Sequence, residues 1–161
     1  MTTLNRKIAS VEVRREEILS AVPQQLILAL NTELEERYPE EGANFFRLDA
    51  DEVAEGRGAF LVAYVGRQPV GCGAVRRTDP KEAEIKRMYV APSARGCGVG
   101  KRIVTELETI ARELGVSRLV LETGPRQLEA IALYQRAGFA EVPLFGEYIG
   151  AKFSVCMAKD L

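Results

Sequence analysis

Arg95-Gly96-Cys97-Gly98-Val99-Gly100-Lys101-Arg102 is the stretch from which the fold is read. Behind it, Val99, Ile103, Leu107, Ile110, Ala111 and Leu114 recur on one face. That spacing predicts an amphipathic helix from about Gly98 to Leu114. Glu108 and Arg112 add an i,i+4 pair, and Gly115 suits the C-terminal cap. Glu82 to Val90 reads as a strand before the glycines, and Ser117 to Glu122 as an apolar strand after the helix. Strand–helix–strand of this kind makes a parallel crossover unit. The glycine-rich turn therefore sits at a helix N-terminus, where unpaired N–H groups and the helix dipole favour anions. Arg95, Lys101 and Arg102 add positive charge. On physical grounds alone the segment is a diphosphate cradle.

Two common diphosphate binders do not fit. A P-loop needs G-x-x-x-x-G-K-[ST]. Here Gly96 stands one residue too close to Gly100, and Arg102 replaces the magnesium-binding hydroxyl. The dinucleotide pattern G-x-G-x-x-G fails because Ile103 occupies the third glycine position.

Toward the N-terminus, Leu26, Leu30, Leu34 and Tyr38 predict a helix from Pro23 to Tyr38, stopped by Pro39. A first strand is expected over Ile8 to Arg14, and Asp49 to Glu55 as a short helix. Ala59 to Val65 and Val70 to Arg77 read as a hairpin around Gly66-Arg67, a type II′ signal. A shorter helix is expected from Gln127 to Ala137, then strands at Phe139 to Val142 and Phe153 to Met157. The expected architecture is α/β (α+β): a mixed, mostly antiparallel sheet of six to seven strands flanked by about four helices.

Composition bounds the chemistry. The chain has 161 residues, a net charge of -1 and no histidine. This length suits one domain, 1–161, with no repeat or linker-like shift. The charge balance argues against a broad nucleic-acid surface. The longest apolar run, Ala59 to Val65, is far short of a membrane span. Without histidine, Ser-His-Asp and Cys-His mechanisms and His-ligated zinc are excluded. No metal site is expected. Cys72, Cys97 and Cys156 form no CxxC pair and read as buried free thiols in a reducing cytoplasm.

Arg95-x-x-Gly98-x-Gly100, following Met88-Tyr89-Val90 and opening a helix, resembles the acetyl-CoA motif of the GNAT superfamily of N-acetyltransferases. A second segment agrees: Ala130-Ile131-Ala132-Leu133-Tyr134, then Ala137-Gly138-Phe139, is similar to that family's later helix and strand. The resemblance implies acetyl-CoA as cosubstrate and an amine as acceptor. It implies that Met88, Tyr89 and Val90 bond the pantetheine through their backbone. The amides of Arg95, Gly96, Cys97, Gly98, Val99, Gly100 and Lys101 would hold the pyrophosphate. Gln127 stands where the family often has Asn, as a further cofactor contact. Tyr134 would protonate the leaving thiolate. The resemblance places a general base at Glu84, and Glu122 at the end of the next strand is the second candidate. A buried carboxylate has a raised pKa and is a better base near neutral pH.

As isolated residues, Tyr134 reads as core, the two glutamates as satisfied strand carboxylates, and Arg126 and Arg136 as a solvated helix face. Two classes of function are compatible with these residues: an N-acetyltransferase, or a non-catalytic CoA-binding sensor on the same fold. Glu40, Glu41, Phe45, Phe46, Phe145, Glu147 and Tyr148 are expected to form an acidic, aromatic-edged mouth for a cationic amine. A homodimer through the last strands is compatible with the fold.

Overall fold

A computed structural model of the chain describes residues 10–40 and 46–161. Ile8, Glu41 and Phe45, each invoked above, lie outside the described residues. One seven-stranded sheet runs through the molecule, and its strands are β1 (Val11–Arg15), β2 (Gly58–Val65), β3 (Gln68–Asp79), β4 (Glu82–Val90), β5 (Arg118–Thr123), β6 (Ala140–Val142) and β7 (Val155–Asp160). The spatial order is β1-β2-β3-β4-β5-β7-β6, with only the β4–β5 pair parallel.

β2 shows why the sheet must be covered on both faces. Its residues Ala59, Leu61 and Ala63 belong to one apolar cluster, and Phe60, Val62 and Tyr64 to another. That is the two-residue period of a strand, with both faces apolar. Helix α1 (Ala21–Arg37) covers the second face through Leu26. Helix α2 (Val99–Glu113) covers the first through Val99, Ile103, Val104 and Leu107, joined by Leu133 and Tyr134 of α3 (Leu128–Arg136). The β2–β3 loop is the two residues Gly66-Arg67, with φ +62° at Gly66 only, as a type II′ turn requires.

Three boundaries differ from the sequence reading. Among the described residues there are three α-helices rather than four, because Asp49 to Glu55 forms only a 3₁₀ turn over Ala50–Val53. Its Asp49 N–H is held by the Glu52 carboxylate at 2.9 Å. The last strand starts at Val155, not Phe153, since its ladder with β5 begins at Thr123–Val155. Phe153 instead turns toward Tyr38, ring centroids 6.0 Å apart. The parallel crossover is real but short: β4 and β5 pair only from Glu82–Arg118 to Ile85–Leu121.

Close approach of α2 to β3 depends on Gly73. A Cβ there would stand 2.8 Å from Ile103 Cγ2 and 2.6 Å from Met88 Sδ. Gly73→Ala is therefore expected to overpack this seam and cost ~1–3 kcal/mol. The check is a lowered urea midpoint at unchanged m-value; an unchanged midpoint would show that α2 yields to the methyl group.

Candidate active site

The site begins where β4 leaves β5. Between β3 and β4 the register runs from Ala74–Lys86 to Cys72–Tyr89, so β4 carries one extra residue there. Arg87, in that bulge, has φ 58°, a left-handed conformation rare for a non-glycine residue. Beyond Ile85 the edge of β4 that faced β5 is unpaired with it. A cavity of about 1070 Å³ opens beside this edge. Its walls include Lys86, Arg87 and Met88 of β4, Glu122 and Thr123 of β5, and Gln127, Ala130 and Tyr134 at α3. Tyr38, Phe46, Tyr148 and Phe153 close the other side.

The glycine loop lies at the far end of β4, outside this lining. Gly96 and Gly98 have φ +77° and +87°, and a Cβ on either would meet nothing within 4 Å. Gly98 is the left-handed N-cap of α2, and the first helical bond runs from Arg102 N–H to its carbonyl at 3.1 Å. The N–H groups of Val99, Gly100 and Lys101 precede that bond and remain available. No carboxylate stands in the first turn. The cradle thus fits a diphosphate. Gly100 serves helix packing instead, since a Cβ there would come 2.9 Å from Leu133 Cδ2; its absence lets α3 pack on α2.

The cations around the loop are less available than their sequence positions imply. Arg95 donates to the Val90 carbonyl at 2.8 Å and pairs with Glu33 of α1, with Tyr89 beneath it. It straps α1 to the end of β4. Arg102 donates to the Val11 carbonyl at 3.1 Å. Lys101 is exposed, and so is Cys97, contrary to the expected burial, because it sits in the glycine turn ahead of α2.

Two glutamates from neighbouring strands occupy opposite environments. Glu84 is 2% exposed and does not line the cavity. One oxygen accepts from Arg76 at 2.9 Å, the other from the Tyr148 hydroxyl at 2.6 Å. Arg76 also pairs with Glu52. Glu122 lines the cavity and, among the described residues, its carboxylate accepts only from Ser154 Oγ, at 2.7 Å. Burial, the largest effect, pushes its pKa up to about 7; the Ser154 bond and the Lys86 charge oppose it. Tyr134 is 4% exposed, lines the cavity, and stacks edge-on to Phe139. Its hydroxyl makes no hydrogen bond among the described residues, and burial raises its pKa. It therefore stays protonated at neutral pH.

Gln127, at the start of α3, lines the cavity, but its Oε1 accepts from Gly124 N–H at 3.0 Å. Arg126 is exposed, as expected, but it has partners. It chelates Glu40 at 2.6 and 3.0 Å, donates to the Arg37 carbonyl, and lies over the rings of Tyr38 and Phe153. Among the described residues of the expected acidic mouth, Glu40 is paired with Arg126 and Glu147 with Arg76 and Lys86. Lys86, Ser154 and the Glu84–Tyr148 bond were missed by sequence reasoning. The available signal was Glu84-Ile85-Lys86-Arg87, three charges within an otherwise buried strand.

Comparisons with known proteins agree with this geometry. The family model "Acetyltransferase (GNAT) family" matches residues 25–139. An "IAA acetyltransferase" of Azospirillum brasilense is 40% identical over 94% of this chain and 99% of its own. The crystal structure of a Klebsiella pneumoniae protein described as an acyl-CoA N-acyltransferase superposes with a TM-score of 0.83 at 30% identity, covering 95% of this chain and 99% of that one. A GNAT acetyltransferase from Elizabethkingia anophelis, solved with acetyl-CoA bound, shares the fold with a TM-score of 0.66 at 19% identity, covering 94% and 98%. With the family model spanning most of the chain, and the strand edge and glycine cradle in place, this protein belongs to the GNAT family of acetyl-CoA-dependent acetyltransferases.

Proposed function

We propose that the protein transfers the acetyl group of acetyl-CoA to a primary amine of a small molecule or peptide, by direct attack on the thioester. The observation that carries this reading is the meeting of Glu122 and Tyr134 on one cavity wall, where β4 parts from β5. The free edge from Met88 to Val90 bonds the pantetheine, and a backbone N–H there stabilises the developing oxyanion. The α2 first-turn amides hold the pyrophosphate. Gln127 contributes to the cofactor wall.

Glu122, oriented by Ser154, accepts the proton of the attacking amine, directly or through water. As nitrogen bonds to the acetyl carbon, the carbon–sulfur bond breaks, and Tyr134 protonates the departing thiolate. Glu84 is a positioning group: its locked carboxylate orients Tyr148 rather than acting as the base. Two buried free thiols, Cys72 and Cys156, support a cytoplasmic setting.

The base assignment predicts a pH profile. Glu122 must be ionised, so activity rises with pH through about 7. Glu122→Gln should lower kcat by about 10²–10⁴-fold and abolish that limb. Stability carries the opposite sign. Because the folded pKa lies above the ordinary carboxylate value of 4.5, the native state holds the extra proton between 4.5 and about 7. Stability is therefore lost as pH rises through that window. Tm measured from pH 5 to 8 should fall more for wild type than for Glu122→Gln. A retained acidic limb in the variant would move the base elsewhere.

Tyr134→Phe should reduce kcat while leaving the KM for acetyl-CoA within about twofold. An unchanged kcat would remove Tyr134 as the acid.

Acetyl-CoA at a hundred times its Kd should raise Tm by roughly 5–10 °C. ATP and NAD should not. Gly98→Asp places charge and a strained side chain in the cradle and should abolish the shift. A wild-type shift in that variant would show that α2 does not hold the pyrophosphate.

A further inference from the structure

Two cations at the cavity floor take no part in the transfer chemistry. Lys86 has a side chain only 3% exposed. Its Nζ donates to the Tyr148 hydroxyl at 3.2 Å, and the nearest carboxylate oxygen, on Glu147, is 3.6 Å away. That leaves spare donors on an ammonium nearly removed from water. Arg87 is half-buried and, among the described residues, donates its side chain to a single acceptor, the Phe46 carbonyl, at 2.6 Å. Among the described residues it forms no ion pair. A guanidinium carries five N–H donors in a fixed fork.

Consecutive strand residues ordinarily point to opposite faces. The bulge and the positive φ at Arg87 break that alternation. Both side chains consequently reach the same corner: Arg87 meets the Phe46 carbonyl, Phe46 packs edge-on against Tyr148 at 4.6 Å, and Lys86 meets the Tyr148 hydroxyl. Nearby carboxylates are committed elsewhere. Glu84 is held by Arg76 and Tyr148, Glu122 by Ser154, and Glu147 is shared with Arg76. At the rim, Glu40 is bound by Arg126 and Asp49 by Arg47, while Glu35 is exposed. Burial, the largest effect on each, lowers the pKa of both Lys86 and Arg87 despite the opposing charge of Glu84. The cavity lining also includes the apolar side chains Leu30, Leu34, Leu48 and Phe153.

We propose that Lys86 and Arg87 bind a carboxylate of the acceptor, which makes the acceptor an amine of the amino-acid class with an apolar or aromatic body. The inference rests on the N-acetyltransferase reading and deepens it. The carboxylate lies in the fork of Arg87 and against the Lys86 ammonium. The amine points to Glu122, and the apolar body lies along the α1 wall.

The test uses matched acceptors: L-phenylalanine, L-leucine and L-methionine, each as free acid and as carboxamide. Transfer is read as CoA release, with rates expressed per unprotonated amine, because the carboxamide lowers the amine pKa. The same pairs are tested for binding by thermal shift in the presence of CoA. Acids should exceed amides by at least about tenfold in kcat/KM, chiefly through KM, as expected for a charge-assisted pair. Arg87→Gln should erase the preference and Arg87→Lys should restore part of it, with the acetyl-CoA thermal shift kept in both. Amides used as well as acids would overturn the carboxylate site while leaving amine transfer intact. A preference that survives Arg87→Gln would also overturn it. Loss of the acetyl-CoA shift in that variant, without acid–amide discrimination, would reassign Arg87 to the cofactor. If neither form of any amine is acetylated, the amine-transfer reading fails for this class. The binding arm then still decides the carboxylate site: stabilisation by acids alone retains it, and no discrimination removes it.

Discussion

The separation of β4 from β5 after Ile85–Leu121 is the constraint on which the site depends. A strand inside a sheet has both edges consumed by neighbours. Here the extra residue in β4 ends the parallel ladder after four pairs, and the freed edge becomes the wall of the cavity. Holding Arg87 at a left-handed φ costs about 1–2 kcal/mol. The conformation is held from two sides: the Cys72 thiol donates to the Arg87 carbonyl, and the guanidinium is tied to the Phe46 carbonyl. On the proposed reading, the same backbone irregularity frees amides for the cofactor and turns a cation toward the acceptor.

Electrostatics divide two similar carboxylates into two roles. Glu84 meets a guanidinium and a phenol, so its charge is satisfied and its position fixed. Glu122 meets one hydroxyl in a buried setting, so its proton is held more tightly. Separation of this kind, by environment rather than residue type, supports the role of base proposed for Glu122 in a site without histidine. Arg76 reaches Glu52, Glu84 and Glu147, and so links the turn at 50–53, the strand β4 and the segment carrying Tyr148. Buried ion pairs of this sort contribute little net stability against an apolar replacement. Here the pair sets the direction of the Tyr148 hydroxyl, and through it the Lys86 ammonium.

Legibility followed the range of the interactions. The helix after Gly98 and its anion-binding turn were readable because periodicity, glycine φ values and dipole are local properties. Tyr134 was readable only through the paired motif, since an aromatic on a helix is core by default, and here it is both buried and on the cavity wall. Asp49 to Glu55 misread as helix because four residues of 3₁₀ turn carry the same acidic capping signature. Arg126 is exposed as read, but its contacts were not legible because its partners, Glu40 and the rings of Tyr38 and Phe153, come from distant parts of the chain.

The order of residues alone dictates the apolar alternation that demands cover on both sheet faces, the glycines that open α2 and the residue types available for proton transfer. These depend on neighbours within a few positions. The folded sheet decides which glutamate faces the cavity, that Arg95 straps α1 instead of standing free, and that Lys86 and Arg87 converge at one corner. Those outcomes depend on where a one-residue bulge falls in a ladder between strands. Hydrogen-bond register and burial are properties of the assembled sheet, and no local pattern of residues encodes them.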